Sequence, residues 1–295
     1  MKIVGTFAET RTLAYGTIGL VPTMGFLHEG HLALIEAARA ECDTVVMSVF
    51  VNPLQFDQSR DLDRYPRDLE RDATLAEAHG VDVVFAPKTE EMYPDYPLTR
   101  VVVTGVAEGM EGAHRPGHFE GVATVVAKLF AGTQADRAYF GRKDAQQLAV
   151  ISRMGADLSF PIEIVPVSIV RERDGLALSS RNVFLEKEDR KAALRISAGL
   201  MEAATAAESG ERVASRLESI VRDHLAGMEV DYVALAGASS ADRIADLVGD
   251  AFLAVAVRVG AIRLIDNVFF RWDPDGVKAD RGIRLQRPSA LYGSQ

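Results

Sequence analysis

A single cysteine in 295 residues, Cys42, leaves no partner for an internal disulfide, which fits a reducing compartment. As a lone small apolar side chain it is expected to be buried. Basic residues are in deficit, 33 against 42 acidic ones, for a net charge of -9. A general nucleic-acid binder would be basic and is not expected, although a local positive pocket for a nucleotide is compatible with this balance. No apolar run approaches the roughly 20 residues of a membrane helix. The start, Met1 to Thr6, lacks a basic stretch followed by a long apolar one, so we expect neither membrane span nor signal peptide, and a cytoplasmic location. There is no internal repeat and no low-complexity block. What the chain does have is 48% apolar residues, enough for a full core and for two domains or one large one.

Short apolar, β-branched runs at Ile18–Val21, Thr44–Val51, Val81–Phe85, Asp136–Phe140 and Ile162–Val170 predict strands covered on both faces. Pro166 marks a bulge or an edge position. A β-rich piece follows at Arg100–Thr104. Helical spacing or composition predicts helices at Leu32–Ala40, Leu69–His79, Val122–Phe130 and Ala145–Met154. This alternation predicts an α/β fold, a Rossmann-like parallel sheet with helices on both faces. Ligands of such sheets bind beyond the carboxyl ends of the strands. The loops Pro22–His31, Asn52–Phe56, Gly141–Asp144 and Arg171–Asn182 are expected to converge there. After Asn182 the pattern changes to helices at Lys187–Ala207 and Glu211–Leu225, then strands at Asp231–Leu235, Ala251–Arg258 and Ile262–Val268, with Gly260 turning a hairpin. We therefore expect a domain over residues 1–182 and a smaller α+β C-terminal domain over 183–295, with a loose tail from about residue 273.

The stretch Pro22-Thr23-Met24-Gly25-Phe26-Leu27-His28-Glu29-Gly30-His31 joins a strand to a helix start. The first N–H groups of that helix and its positive dipole end make a place for phosphate. Two histidines three apart, one directly after a glycine, suggest three roles. They could donate hydrogen bonds to phosphate oxygens, bind a metal with a further ligand, or cap the helix.

His28-Glu29-Gly30-His31 has the His-x-Gly-His pattern of the nucleotidylyl-transferase superfamily. The flanking blocks narrow it: Pro22–Gly25, Phe50–Phe56, Asp61–Arg67, Met92–Pro94, Arg115–Phe119, Gly141–Asp144, Gln146-Gln147, Asp174–Asn182 and, later, Arg263–Asn267. In that order they resemble the pantothenate synthetases, or pantoate–β-alanine ligases, over nearly the whole chain. The resemblance implies a ligase in which the carboxylate of pantoate attacks the α-phosphorus of ATP, giving pantoyl adenylate and pyrophosphate. β-Alanine then attacks the acyl carbon, giving AMP and pantothenate, a coenzyme A precursor. It implies Mg²⁺ with ATP, a homodimer, and a C-terminal domain closing as a lid.

By resemblance, Met24, Gly25, Phe26, Leu27, His28, Glu29, Gly30 and His31 form the ATP loop, with His31 catalytic and His28 its companion phosphate contact. Gln55 and Gln147 hold pantoate through amides that both donate and accept. Lys143 reaches the ATP phosphates as a compact cation and completes the catalytic set. Gly141, Arg142, Asp144, Val170, Leu178, Ser179, Ser180 and Arg181 complete the ATP site, Asp144 on ribose or metal and Val170 on adenine through its backbone. No direct metal ligand is assigned. The chain departs from the family pattern at Arg142, where Glu is usual, at Ala145, where an aromatic is usual, and at Ser168-Ile169, where Pro-Thr is usual. The alternatives are another nucleotidylyl transferase or a non-catalytic nucleotide-binding regulator.

Overall fold

The computed structural model describes residues 1–56, 62 and 65–292. Within the Asp61–Arg67 block, Asp61, Asp63 and Arg64 lie outside the described residues. The chain divides into two compact units, Met1–Phe140 with Val150–Val167, and Gly141–Ala149 with Ser168–Gln295. Among the described residues no helix is long and apolar enough to cross a membrane.

The first unit is built on one six-stranded sheet. Its strands are β1 (Lys2–Val4), β2 (Ile18–Thr23), β3 (Thr44–Val49), β4 (Val83–Phe85), β5 (Arg137–Gly141) and β6 (Glu163–Val167), in the order β1-β4-β3-β2-β5-β6. The pairs β1/β4, β4/β3, β3/β2 and β2/β5 are parallel. Leu20, Val21, Val45, Val46 and Met47 are all fully buried. Consecutive buried residues require cover on both faces of the sheet, which is why these strands read as continuous apolar runs rather than alternating ones. The helices of this part of the chain are α1 (Phe7–Leu13), α2 (Glu29–Glu41), α3 (Leu69–Ala78), α4 (Thr89–Met92), α5 (Met110–His114), α6 (His118–Thr133) and α7 (Ala145–Asp157). Cys42 ends α2 and is buried, its sulfur 3.3 Å from the Tyr139 hydroxyl.

Pro22 sits inside a central strand, where a missing N–H would normally cost a ladder bond. The carbonyl of Thr23 accepts from Phe50 N on the β3 side, so the alternation of a strand turns Pro22 toward β5. Pairing with β5 is recorded at Gly19 and Leu20, before Pro22. Pro166 lies in β6, the edge strand of the sheet, where the ladder tolerates it.

The second unit contains β7 (Val170–Arg171), α8 (Lys187–Glu208), α9 (Ala214–His224), β8 (Glu229–Gly237), β9 (Ala251–Val259), β10 (Ile262–Asp273), β11 (Gly276–Asp280) and β12 (Ile283–Arg284). Strands β11-β10-β9-β8 form an antiparallel sheet, and Gly260 at φ +55° turns β9 into β10. Ala193, Leu200, Ala203 and Ala207 of α8 and Leu217 and Val221 of α9 share a buried cluster with Val233, Leu253, Val255 and Phe270. The alanines keep the helix surface flat enough to lie close on the sheet.

Three expectations need correcting. The run Ile162–Val170 is not one strand. It ends at Val167, and Val170–Arg171 pairs in parallel with β12 instead. A β-branched run cannot reveal that its partner changes when the new partner lies far along the chain. Arg100–Thr104 is not a strand: Val101 N donates to the Thr124 side chain at 3.0 Å. From residue 273 the chain is not a loose tail over 276–284, where it forms β11 and β12. Val277 there is 6% exposed, and burial of that apolar residue helps anchor the segment.

Candidate active site

In the first unit the loops after β2 and β3 leave the carboxyl ends of adjacent paired strands, Thr23 opposite Val49. The β2 loop is turned by Gly25 at φ +86°, followed by Phe26 at φ +54°. A non-glycine residue in the left-handed region is strained and needs outside support. Asp72 of α3 supplies it. Its carboxylate is 1% exposed and accepts from Phe26 N and Leu27 N, both at 2.7 Å. Arg71 donates to Leu27 O at 3.0 Å and lies over the Phe26 ring. Burial pushes the Asp72 carboxyl above its ordinary range, while the two backbone N–H groups and Arg71 pull it back.

This support delivers the chain to His28, the residue that caps α2. His28 Nδ1 accepts from Gly30 N at 3.1 Å, and His31 Nδ1 accepts from His28 N at 3.3 Å. The two rings stack with centroids 4.1 Å apart. Capping is thus one thing the histidines do, and it has a chemical consequence. With both Nδ1 atoms acting as acceptors, each neutral ring carries its proton on Nε2. Two Nε2–H donors therefore stand at the positive end of a helix. Gly30 is required between them, because a Cβ there would lie 2.8 Å from His28 Cε1.

The β3 loop is an amide network. Asn52, 1% exposed, donates to Gln55 Oε1 and to Gly121 O, each at 3.0 Å. The Tyr93 hydroxyl donates to Asn52 Oδ1 at 3.0 Å, and burial raises the Tyr93 pKa, so it stays a donor. With its carbonyl oxygen accepting from Asn52, the Gln55 amide nitrogen lies 3.0 Å from Met24 Sδ. Arg115 donates to His118 Nε2 at 3.2 Å, which leaves His118 Nδ1–H to donate to Gln55 O at 2.9 Å. Helix α6 approaches this turn so closely that a Cβ at Gly121 would sit 2.3 Å from Leu54 O and 2.7 Å from Gln55 Cα. Gly121→Ala is expected to destabilise the chain by about 1–3 kcal/mol, because backbone rather than a flexible side chain is in the way. A thermal melt measures it, and an unchanged melting temperature would contradict the packing described.

In the second unit, Arg142–Asp144 forms one turn of 3₁₀ helix. Asn267 on β10 donates from its single amide nitrogen to Arg142 O and Lys143 O, both at 2.8 Å. Asn267 is in turn anchored by a buried ion pair. Arg171 binds Asp266 at 2.7 and 3.1 Å, with the two side chains 4% and 3% exposed. Lys143 is half-buried, and among the described residues it has no acidic partner within ion-pair distance. Arg142 is different, since its guanidinium is held by Asp280 at 2.7 Å. Asp144 is exposed and Gln147 half-buried.

Val170 O accepts from Leu178 N at 2.9 Å, closing a hairpin whose tip carries Gly175 at φ +99°. Ser179 Oγ accepts from Arg181 N at 3.3 Å and starts the Ser180–Phe184 turn. Asn182 ties that turn to Glu172 at 2.7 Å. Ser179 is buried, Ser180 half-buried and Arg181 exposed. Among the described residues, no group of three or more His, Cys, Asp or Glu is arranged to hold a metal ion.

The sequence assigns no role to Asp72, Asn52, Tyr93, Arg115 or His118, although all but Asp72 lie within the blocks quoted above. A signal existed for Asp72, which falls among the buried positions 72, 73 and 76 of its helix, where an acid is out of place unless it has partners.

A family model described as pantoate-beta-alanine ligase matches residues 2–269. The pantothenate synthetase of Geobacillus kaustophilus is 52% identical over 267 residues, covering 90% of this chain and 89% of the relative. That of Acetivibrio thermocellus is 52% identical over 277 residues, covering 91% and 99%. Among solved structures, pantothenate synthetase from Thermus thermophilus matches with TM-score 0.85 and 50% identity, over 90% of this chain and 98% of that one. The pantoate-beta-alanine ligase of Francisella tularensis, solved with beta-gamma ATP and beta-alanine, matches with TM-score 0.74 and 33% identity, over 91% and 97%.

Proposed function

The chain belongs to the pantoate–β-alanine ligase family, and from that premise we propose that it joins pantoate to β-alanine with ATP by way of pantoyl adenylate. The observation that carries the reading is the histidine pair, capped so that both Nε2–H groups act as donors at the start of α2. Attack of a carboxylate on the α-phosphorus moves negative charge onto the departing pyrophosphate. Fixed donors at a helix N-terminus stabilise that charge without reorganising. Lys143 adds a compact cation toward the phosphates. Gln55, set by Asn52, and Gln147 offer amides to the hydroxyl and carboxylate groups of pantoate without adding a competing charge.

Met24 to His31, Gly141 to Asp144, Val170 and Leu178 to Arg181 make up the proposed ATP site. In this reading residues 1–182 bind ATP and pantoate, and residues 183–295 form a lid that limits hydrolysis of the acyl adenylate. The second step forms the amide bond as the β-alanine amine displaces AMP from the acyl carbon. Mg²⁺ enters with ATP. The ion would be held mainly by phosphates and water with one carboxylate, for which exposed Asp144 is available. Its chemistry is charge neutralisation on the triphosphate. A homodimer in the cytoplasm completes the proposal.

The test is a coupled assay with ATP, pantoate and β-alanine, omitting each in turn. AMP release that requires β-alanine, with pyrophosphate release that requires only ATP and pantoate, is expected. Pyrophosphate release without any amide product would place the chain with other nucleotidylyl transferases. No turnover in any combination would favour a nucleotide-binding regulator.

A further inference from the structure

The family match ends at residue 269, yet the chain continues in order through the end of β10, β11 and β12. That continuation returns to two elements of the proposed ATP site. Strand β12 pairs with β7, with Ile283 N donating to Ile169 O at 2.7 Å and Leu285 N to Arg171 O at 2.8 Å. At the end of β11, Asp280 Oδ2 accepts from Arg142 Nη1 at 2.7 Å and from Ser168 Oγ at 2.7 Å. Its other oxygen accepts from Gly282 N at 3.0 Å, which fixes the carboxylate. Gly282 at φ +84° lets this turn close, since a Cβ would lie 2.4 Å from Ile169 O. The Arg142 guanidinium also lies 4.1 Å from the Phe269 ring centroid, where cation–π attraction adds to the ion pair.

Arg142 and Ser168 are two of the positions at which the chain departs from the pattern of the family it resembles, and both meet the same carboxylate. An acid at 142 would face Asp280 and be repelled, so Arg142 is matched to the C-terminal segment. Arg142 directly precedes Lys143, and Asn267 holds the carbonyls of both. The turn is therefore gripped by its backbone from β10 and by its side chain from β11.

We propose that Asp280 is a positioning residue for ATP. Through Arg142 it fixes the turn from which Lys143 reaches the phosphates. The inference rests on the phosphate role of Lys143 set out above.

The experiment is steady-state kinetics of the full chain, with thermal melts, for Asp280→Asn, Arg142→Met, their double variant and Lys143→Ala. Asp280→Asn retains an acceptor for Gly282 N. It and Arg142→Met are each expected to raise the KM for ATP about tenfold, with the KM for pantoate within about twofold, as misplacement of a binding group predicts. The double variant should rise no further than either single one, because both break one contact. Direct titration with a non-hydrolysable ATP analogue gives the same comparison for any variant with reduced turnover. An unchanged KM for ATP in Asp280→Asn, alongside a raised one in Lys143→Ala, would overturn the proposal alone. So would additive effects in the double variant, or a fall in melting temperature with all substrates affected equally. An unchanged KM for ATP and unchanged adenylate formation in Lys143→Ala would overturn the phosphate reading itself.

Discussion

His31→Ala is expected to lower turnover by about 10²–10³-fold, the usual cost of removing one fixed donor from a developing negative charge. The fold is expected to survive, and separating the two effects depends on what the ring does in the structure. His31 accepts from His28 N, a capping bond whose loss costs about 1 kcal/mol. That is too little to unfold the chain and far too little to explain a large loss of rate. The measurement is single-turnover adenylate formation beside a thermal melt. Unchanged turnover would remove His31 from the mechanism and leave only capping.

His28 provides the sharper control. An N-cap asparagine accepts from the N–H of the following turn much as His28 Nδ1 accepts from Gly30 N. His28→Asn should therefore preserve the cap while deleting the Nε2–H donor. A melting temperature near that of the parent, with slowed adenylation, is the pattern that phosphate contact requires. If capping were the whole role of His28, both quantities would stay unchanged.

The legible parts of this fold were those set by local pattern. The buried runs of β2 and β3 read as strands because each residue along them is covered on both sides. The His-x-Gly-His segment reads as a strand-to-helix turn because a strand, a glycine and a helix start follow in sequence. Helix α1 carries one local signal. Thr6 and Glu9 form a reciprocal capping box, but seven residues with little apolar periodicity gave no reason to seek a helix. Distant pairings were not legible. That Val170 would leave the parallel sheet for β12, or that residues 276–284 would be strands rather than tail, depends on partners far along the chain. The same holds for the supports of the proposed site. Gln55 stood out by resemblance, while Tyr93 and His118, which set its loop, come from separate segments and carry no local mark of that task.

Asp266→Ala should be the most destabilising single change in the second unit, by about 3–5 kcal/mol, the range for removing one partner of a buried ion pair. At roughly 2–4 °C per kcal/mol for a chain segment of this size, the melting temperature should fall by roughly 6–20 °C. The reason is that Arg171 would remain buried with its charge uncompensated. Asp266 also accepts from Asn267 N at 2.7 Å, so a backbone N–H would lose its acceptor as well. Replacing both members of a buried pair by apolar residues is often nearly neutral, but here Arg171→Met with Asp266→Leu should recover only part of the loss. The guanidinium serves more than its partner: it donates to Arg281 O at 2.8 Å, Asn267 O at 3.0 Å and Gly175 O at 3.3 Å. Methionine would strand the carbonyl of Asn267, the buried one of the three, at a cost of about 1–3 kcal/mol, while the two part-buried carbonyls can turn to water. Full recovery in the double variant would mean that these carbonyl bonds contribute nothing and that Arg171 is present only to neutralise Asp266. Partial recovery, read with the KM for ATP, would show that the pair is retained for the carbonyls it gathers, among them that of Asn267, whose side chain holds the Lys143 turn.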